Sequence, residues 1–292
     1  MVKTIGNPLS WSVKTLNRAG HRAADMTDRL GGHDNTVPTI RRLTTDDLLD
    51  ALRAGIDDFK ALRTDVLVLV LLYPVMGALL VWFTLDSNLL HIAFPMLTGF
   101  ALVGPLSAVG LYEMSRRRER GEHAGWGDAL DLVSSPLMAP IVMLGIYLLA
   151  GFVIWLVVAD WIYNLTIGPE PPASVMAFAG EVFGTPAGWA MILVGMGVGF
   201  VFALIVLSAT VVSFPMLVDR NVGLPRAVVT SVQVTRKNPR VILSWGLIVA
   251  VSLGLGAIPA LLGLMIVLPV LGHATWHLYR RAVVWNLPED AA

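Results

Sequence analysis

FALVGPLSAVGLYEMSRRRER, Phe100 to Arg120, is the run from which the fold can be read. An apolar segment reaches Tyr112, then meets four arginines within five residues, and the short amphipathic run WGDALDLV follows at Trp126 to Val133. That order is the order of a membrane exit: an apolar core, an aromatic residue at headgroup depth, cations on the retained side, then a helix along the surface. The same grammar returns twice further along the chain.

Composition sets the frame for this reading. The chain has 292 residues, 55% of them hydrophobic and 14% charged, with a mean hydropathy of +0.70, so it carries more apolar surface than one soluble core can hide. It contains no cysteine, which excludes disulfides, thiolate metal sites and thiol redox chemistry. The polar, basic N-terminus lacks the apolar stretch of a cleavable signal, so the first membrane helix is expected to act as an uncleaved one.

Formal net charge is zero, yet the charges are sharply segregated. All 21 Lys and Arg residues lie in four clusters: Lys3 to Arg63, Arg116 to Arg120, Arg220 to Arg240, and Arg280 with Arg281. Three long spans without a basic residue separate them, and each must cross the bilayer an even number of times if the clusters share one side. About 20 apolar residues cross the hydrocarbon core as a helix. On that measure the spans hold helices at about 66–85, 89–114, 139–162, 186–217, 241–257 and 259–276, with turns at Asp86 to Asn88 and Gly256 to Pro259 and a proline- and acid-rich loop between the third and fourth. The last turns of the fourth, around Pro215, are expected to emerge into the cytoplasm. Loops that carry the Lys and Arg excess stay in the cytoplasm, so both termini are expected there, in a bacterial inner membrane. Four of the 21 acidic residues, Asp86, Asp160, Glu170 and Glu181, fall outside, leaving a cytoplasmic surplus of four positive charges that favours anionic lipid headgroups. No nucleic-acid partner is expected.

Each hairpin follows a segment of helical period. In DDLLDALRAGIDDFKALR, Leu48, Leu52, Ile56 and Phe59 share one face opposite Asp50, Asp57, Asp58 and Lys60, with Thr44 or Thr45 as cap. WGDALDLV and LPRAVVTSVQVTRKNP are the second and third. The expected fold is therefore all-α: a polytopic membrane protein of six transmembrane helices in three hairpin repeats, each preceded by a cytoplasmic amphipathic helix. These occupy residues 41–285, between a loosely ordered arm at 1–40 and a tail at 286–292.

The repeat units are Leu43 to Arg120, Gly121 to Arg220 and Asn221 to Arg281. The first and third agree in detail. Pro105 precedes Arg116 and Arg117 at the offset by which Pro269 precedes Arg280 and Arg281, so Tyr112 aligns with Trp276 and Glu113 with His277. Three hairpins in one orientation are parallel repeats about an axis along the membrane normal. The residues expected at the interface or in contact with lipid are Tyr112, Arg116, Arg117, Arg118, Trp126, Trp276, Arg280 and Arg281. Prolines inside lipid free backbone carbonyls that need other donors, and Ser107 near Pro105 and Ser213 near Pro215 are placed to help.

Chemistry-bearing residues are few. His273 and His277 lie four apart on one helix face and suit a divalent metal if Glu113 joins them, with His123 and Asp128 as further candidates from the same side. The plainer reading is a pair of imidazoles hydrogen-bonded at the interface. His91, near the outer surface, looks isolated. No other cofactor is implied, and no catalytic residue is identified: no charged residue falls mid-crossing, and no phosphate-binding glycine loop, nucleophile elbow or zinc-protease motif stands in a suitable context.

The runs GFALVGPLSAVGLYEMSRRRERGE at Gly99 to Glu122, FPMLVDRNVG at Phe214 to Gly223 and VLPVLGHATWHLYRR at Val267 to Arg281 closely resemble a bacterial family of predicted integral membrane proteins, domain-of-unknown-function family 2189. Members are sometimes labelled cytochrome c oxidase subunits. The resemblance covers about Pro38 to Val284 and implies the topology above and an inner-membrane home, with no catalytic residues to transfer. A haem-copper catalytic subunit needs several histidines within its membrane helices. With six in all, two in the arm and one in a loop, this chain can only accompany such a subunit. Three functions stay open: a non-enzymatic scaffold, assembly or regulatory protein of a membrane complex; a passive carrier or channel for a small or amphipathic solute; and a metal-dependent enzyme at the cytoplasmic interface.

Overall fold

In a computed structural model the described residues are 31–285, without 33, 35, 87–88, 103, 126, 128–131, 133–134, 136 and 260. Most of the arm, the tail, Trp126, Asp128 and nearly all of the second surface helix lie outside the described residues.

Helix α1 spans Thr45–Asp86, 42 residues without interruption. The first surface helix and the first crossing, expected as separate elements, are thus one rod of about 63 Å at 1.5 Å per residue. Nothing between Phe59 and Val66 breaks a helix, since the intervening KALRTD has neither Gly nor Pro. A reciprocal cap starts it: the Thr44 amide donates to Asp47 Oδ2 at 2.9 Å and the Asp47 amide to Thr44 Oγ1 at 3.2 Å. Its buried stripe is Leu48, Ala51, Gly55, Asp58 and Leu62, at alternating spacings of three and four. The apolar face expected from Leu48, Leu52, Ile56 and Phe59 is therefore rotated, and Ile56 is exposed.

The reason is α11, Leu264–Ala282, which packs along α1 in the molecule's most extensive helix contact among the described residues. A Cβ on Gly55 would stand 2.6 Å from the Ala274 amide nitrogen, so only glycine permits that approach. Gly77 meets Leu261 further along, which makes the two helices antiparallel.

The second expected crossing is segmented. A single 3₁₀ turn at Leu90–Ile92 leads to α2, Ala93–Leu102, then α3, Gly104–Ser107, and α4, Val109–Glu119. Pro105 lies three residues before the turn at Ala108, where its ring and missing N–H weaken helical continuity. Helix α5 is Met138–Thr166. The loop expected after it contains α6, Val175–Gly184, capped by Ser174, whose Oγ accepts from the Ala177 amide at 3.1 Å.

Helix α7, Pro186–Thr210, ends at a turn over Val211 and Val212. It is followed by α8, Ser213–Asp219. The last turns expected of this crossing are thus a separate short helix, and it is buried in the protein. Phe214, Met216 and Val218 have no exposed surface, because α4, α11 and α9, Leu224–Lys237, pack against this short helix. Serines supply the missing bonds at this break, as expected of Ser213, which donates to the carbonyl of Ala209, while Ser231 donates to that of Ser208 at 2.8 Å and accepts from the Val212 amide. Pro239 follows the C-cap of α9 directly and opens α10, Pro239–Ala257.

One small sheet departs from the all-α expectation. Strand β1, Pro38–Ile40, pairs antiparallel with β2, Val283–Trp285, with Ile40 opposite Val283. Part of the expected arm is thereby tied to the end of α11. Asn238 fastens the junction, accepting from the Leu43 amide at 2.7 Å and donating to the Arg41 carbonyl at 3.0 Å.

Among the described residues three helical runs are long and apolar enough to cross a membrane: Met138–Thr166, Pro186–Asp219 and Pro239–Ala257. Their flanks expose Ile146, Leu149, Leu193, Phe200, Leu247 and Leu255, an apolar belt suited to lipid and not to water.

Candidate functional site

Polar residues gather where α1, α4, α8 and α11 meet at the basic end of the bundle. They form two adjoining groups that share α4 and α11.

The first is centred on Asp58, buried within the stripe that α1 presents to α11. Its Oδ2 accepts from Ser115 Oγ at 2.6 Å and from His277 Nε2 at 2.9 Å, and its Oδ1 accepts from Arg118 Nη1. Ser115 Oγ is also 2.7 Å from Nδ1 of His273, whose side chain is wholly enclosed. Asp58 lies two turns before the expected crossing. Burial pushes its carboxyl up, but hydrogen bonds from His277 and Ser115 and the charges of His277 and His273 outweigh that, leaving it below the usual carboxylate range.

The grouping contains serine, histidine and aspartate, but in the wrong order for nucleophilic catalysis. The single Ser115 proton goes to the ionised Asp58, so His273 Nδ1 donates to the hydroxyl and cannot withdraw a proton from it. Ser115 is also sealed from solvent. The arrangement is a polar clamp across three helices.

The expected metal set is not brought together. Glu113 turns from the histidines to Arg116, bonded through both oxygens at 2.7 and 2.8 Å, and to Arg117 at 2.9 Å. With the adjacent arginines on its own helix within reach, its charge is satisfied three and four residues on. Among the described residues no group of three His, Asp or Glu side chains has an arrangement that could hold a metal ion.

The second group surrounds a cavity of about 400 Å³ lined by Arg116, Glu119, Arg120, Asp219, Arg220, Trp276 and Arg280. All three basic hairpin endings of the sequence contribute to it. Asp219 accepts from Tyr279 Oη at 2.8 Å and faces Arg280 at 3.5 Å and Arg120 at 3.6 Å. Glu119 accepts from Trp276 Nε1 and Arg280 Nε, each at 3.0 Å. Arg220 pairs with Asp34 at 3.1 Å and lies over the Trp285 ring at 4.6 Å, while Trp285 Nε1 donates to Tyr279 Oη at 3.0 Å.

Several expected positions change meaning here. Tyr112 and Trp276 are buried in protein and do not face lipid, because α8 and the Glu119 carboxylate cover this end of the bundle. Arg281 donates to the His277 carbonyl at 3.5 Å. At the opposite end His91 is not isolated: its Nε2 is 3.0 Å from Asp160 Oδ1, and its ring stacks on Tyr163 at 4.4 Å. Asp58, Ser115, Asp219 and Trp285 were not singled out from sequence. For Asp58 a usable signal existed, the alternation of three and four from Leu48 through the small residues Ala51 and Gly55.

Residues 93–219 match the family described as predicted integral membrane protein (DUF2189). The match runs from α2 to the end of α8, taking in Ser115, the arginine run of α4 and Asp219, and it bears out the family resemblance over that segment. No curated protein and no solved structure matches the chain. The chain is a membrane protein with candidate apolar spans, and the matched description names no activity.

Proposed function

We propose that the protein is a non-enzymatic scaffold, assembly or regulatory component of a membrane complex, built of six crossings in three parallel hairpins, with its basic end and both termini in the cytoplasm of a bacterial inner membrane. The observation that carries this reading is the commitment of the polar groups to one another. Asp58, Glu119 and Asp219 each accept from at least two partners on other helices, and those bonds tie α1, α4, α8 and α11 together. A knot of this kind fixes the geometry of a cytoplasmic face and leaves no activated nucleophile or open metal position. The break before Pro215 weighs against a carrier, since the freed backbone groups there are bonded by Ser213 and Ser231.

The test is purification of the chain at native expression in mild detergent, with chemical cross-linking before extraction. A partner cross-linked to the basic face and retained at fixed stoichiometry supports the proposal. A chain that runs alone, with no cross-link from that face, sinks it.

A further inference from the structure

The cavity between α4, α8 and α11 has a composition that asks for an anion. Four guanidinium groups and two carboxylates line it, so the lining carries two more positive than negative charges. Adding the outside partners of these arginines, Glu113 and Asp34, together with Arg117, still leaves five cations against four anions. The arginines come from the three basic endings of the chain and converge on one void, an arrangement whose mutual repulsion is relieved by a negative ligand.

Donors remain for such a ligand. Arg116 uses Nε and Nη2 on Glu113, which leaves Nη1. Arg120 approaches Asp219 only at 3.6 Å, beyond hydrogen-bonding distance, and its side chain is 48% exposed. Arg220 has one nitrogen on Asp34 and its face on Trp285. A guanidinium presents five N–H groups in a planar fork that matches two phosphate oxygens at once. The Trp276 indole supplies the one large apolar surface in the lining, beside the end of the apolar part of α11.

We propose that this cavity binds a phosphate anion, presented by a membrane-lipid headgroup or by a soluble phosphate, with Arg120 as its principal ligand and Arg116 and Arg220 completing the grip. The proposal rests on the orientation given above only for placing the cavity at headgroup depth. It is independent of whether a protein partner exists.

Full-length protein in a neutral detergent is titrated separately with phosphatidylglycerol, phosphatidylcholine and inorganic phosphate, and occupancy is read by native mass spectrometry and calorimetry. Saturable uptake of one phosphatidylglycerol, not displaced by inorganic phosphate, identifies a headgroup site; saturable binding of inorganic phosphate identifies a soluble one. Arg120→Gln weakens either by about tenfold, and Arg120→Lys, which keeps the charge but loses the fork, falls between. Glu119→Gln tightens binding, because it removes a negative wall yet can still meet Trp276, and a gain of affinity cannot come from misfolding. Equal retention of phosphatidylcholine and phosphatidylglycerol without phosphate binding, or affinities unmoved by Arg120→Gln and Glu119→Gln, overturns the proposal.

Discussion

His277 Nε2 stands 2.9 Å from Asp58 Oδ2, joining α11 to α1 across 219 residues of sequence. With Ser115 and Arg118 on the same carboxylate, α1, α4 and α11 share one buried anion. Replacing Asp58 by Ala leaves Arg118, His277 and Ser115 facing a void without a counter-charge. Breaking a buried pair in this way costs about 3 kcal/mol or more. Thermal unfolding in detergent should show Asp58→Ala melting several degrees lower, with Asp57→Ala, one residue away and exposed, unchanged within error. Equal melting of the two variants would mean that the clamp does not hold the helices.

The depressed carboxyl of Asp58 fixes the sign of a pH effect. The groups facing it are Ser115 and Arg118 from α4 and His273 and His277 from α11. A carboxylate held below its ordinary value contributes stability fully above that value, near pH 4, and loses it as pH falls through the lower folded value. The difference in melting temperature between the natural chain and Asp58→Asn should therefore shrink as pH falls below about 4. A difference that instead grows under acid contradicts the depressed value.

Two glycines on α1 separate backbone contact from side-chain contact. At Gly55 a Cβ would meet the Ala274 main chain at 2.6 Å, while at Gly77 it would meet only the end of the Leu261 side chain, at 2.7 Å. Gly55→Ala must push the helices apart, at a cost of about 1–3 kcal/mol, and should also loosen the His277–Asp58 bond. Leu261 can rotate away, so Gly77→Ala should be nearly neutral or gain slightly from helix propensity. Melting temperatures of the two single variants decide this, and the reverse order would place the close approach elsewhere.

How much of this was legible in sequence depends on the kind of signal. The basic endings at Arg116, Arg220 and Arg280 stand out because charge is excluded from apolar spans, and the structure gathers all three around one cavity. Asp58 was hidden because hydrophobic periodicity counts aspartate as outward-facing and gives little weight to Ala51 and Gly55, which carry the contact. Burial of FPMLV was hidden because an apolar run after a membrane helix reads as its continuation, whereas the turn at Val211 and Val212 redirects it. The pairing of Ile40 with Val283 joins three-residue strands from opposite ends of the chain, and no local pattern announces that.

The absence of cysteine makes the proposed orientation directly testable, since any introduced thiol is the only one present. Glu122 follows the α4 arginines and Glu170 follows α5, and both are exposed. Helix α5, 29 residues long, lies between them in the chain and is long and apolar enough to cross. In intact cells a membrane-impermeant maleimide should label Glu170→Cys, while Glu122→Cys should react only after permeabilisation. Reversed labelling would invert the orientation. Labelling of both from outside would remove α5 as a crossing and with it the three-hairpin arrangement.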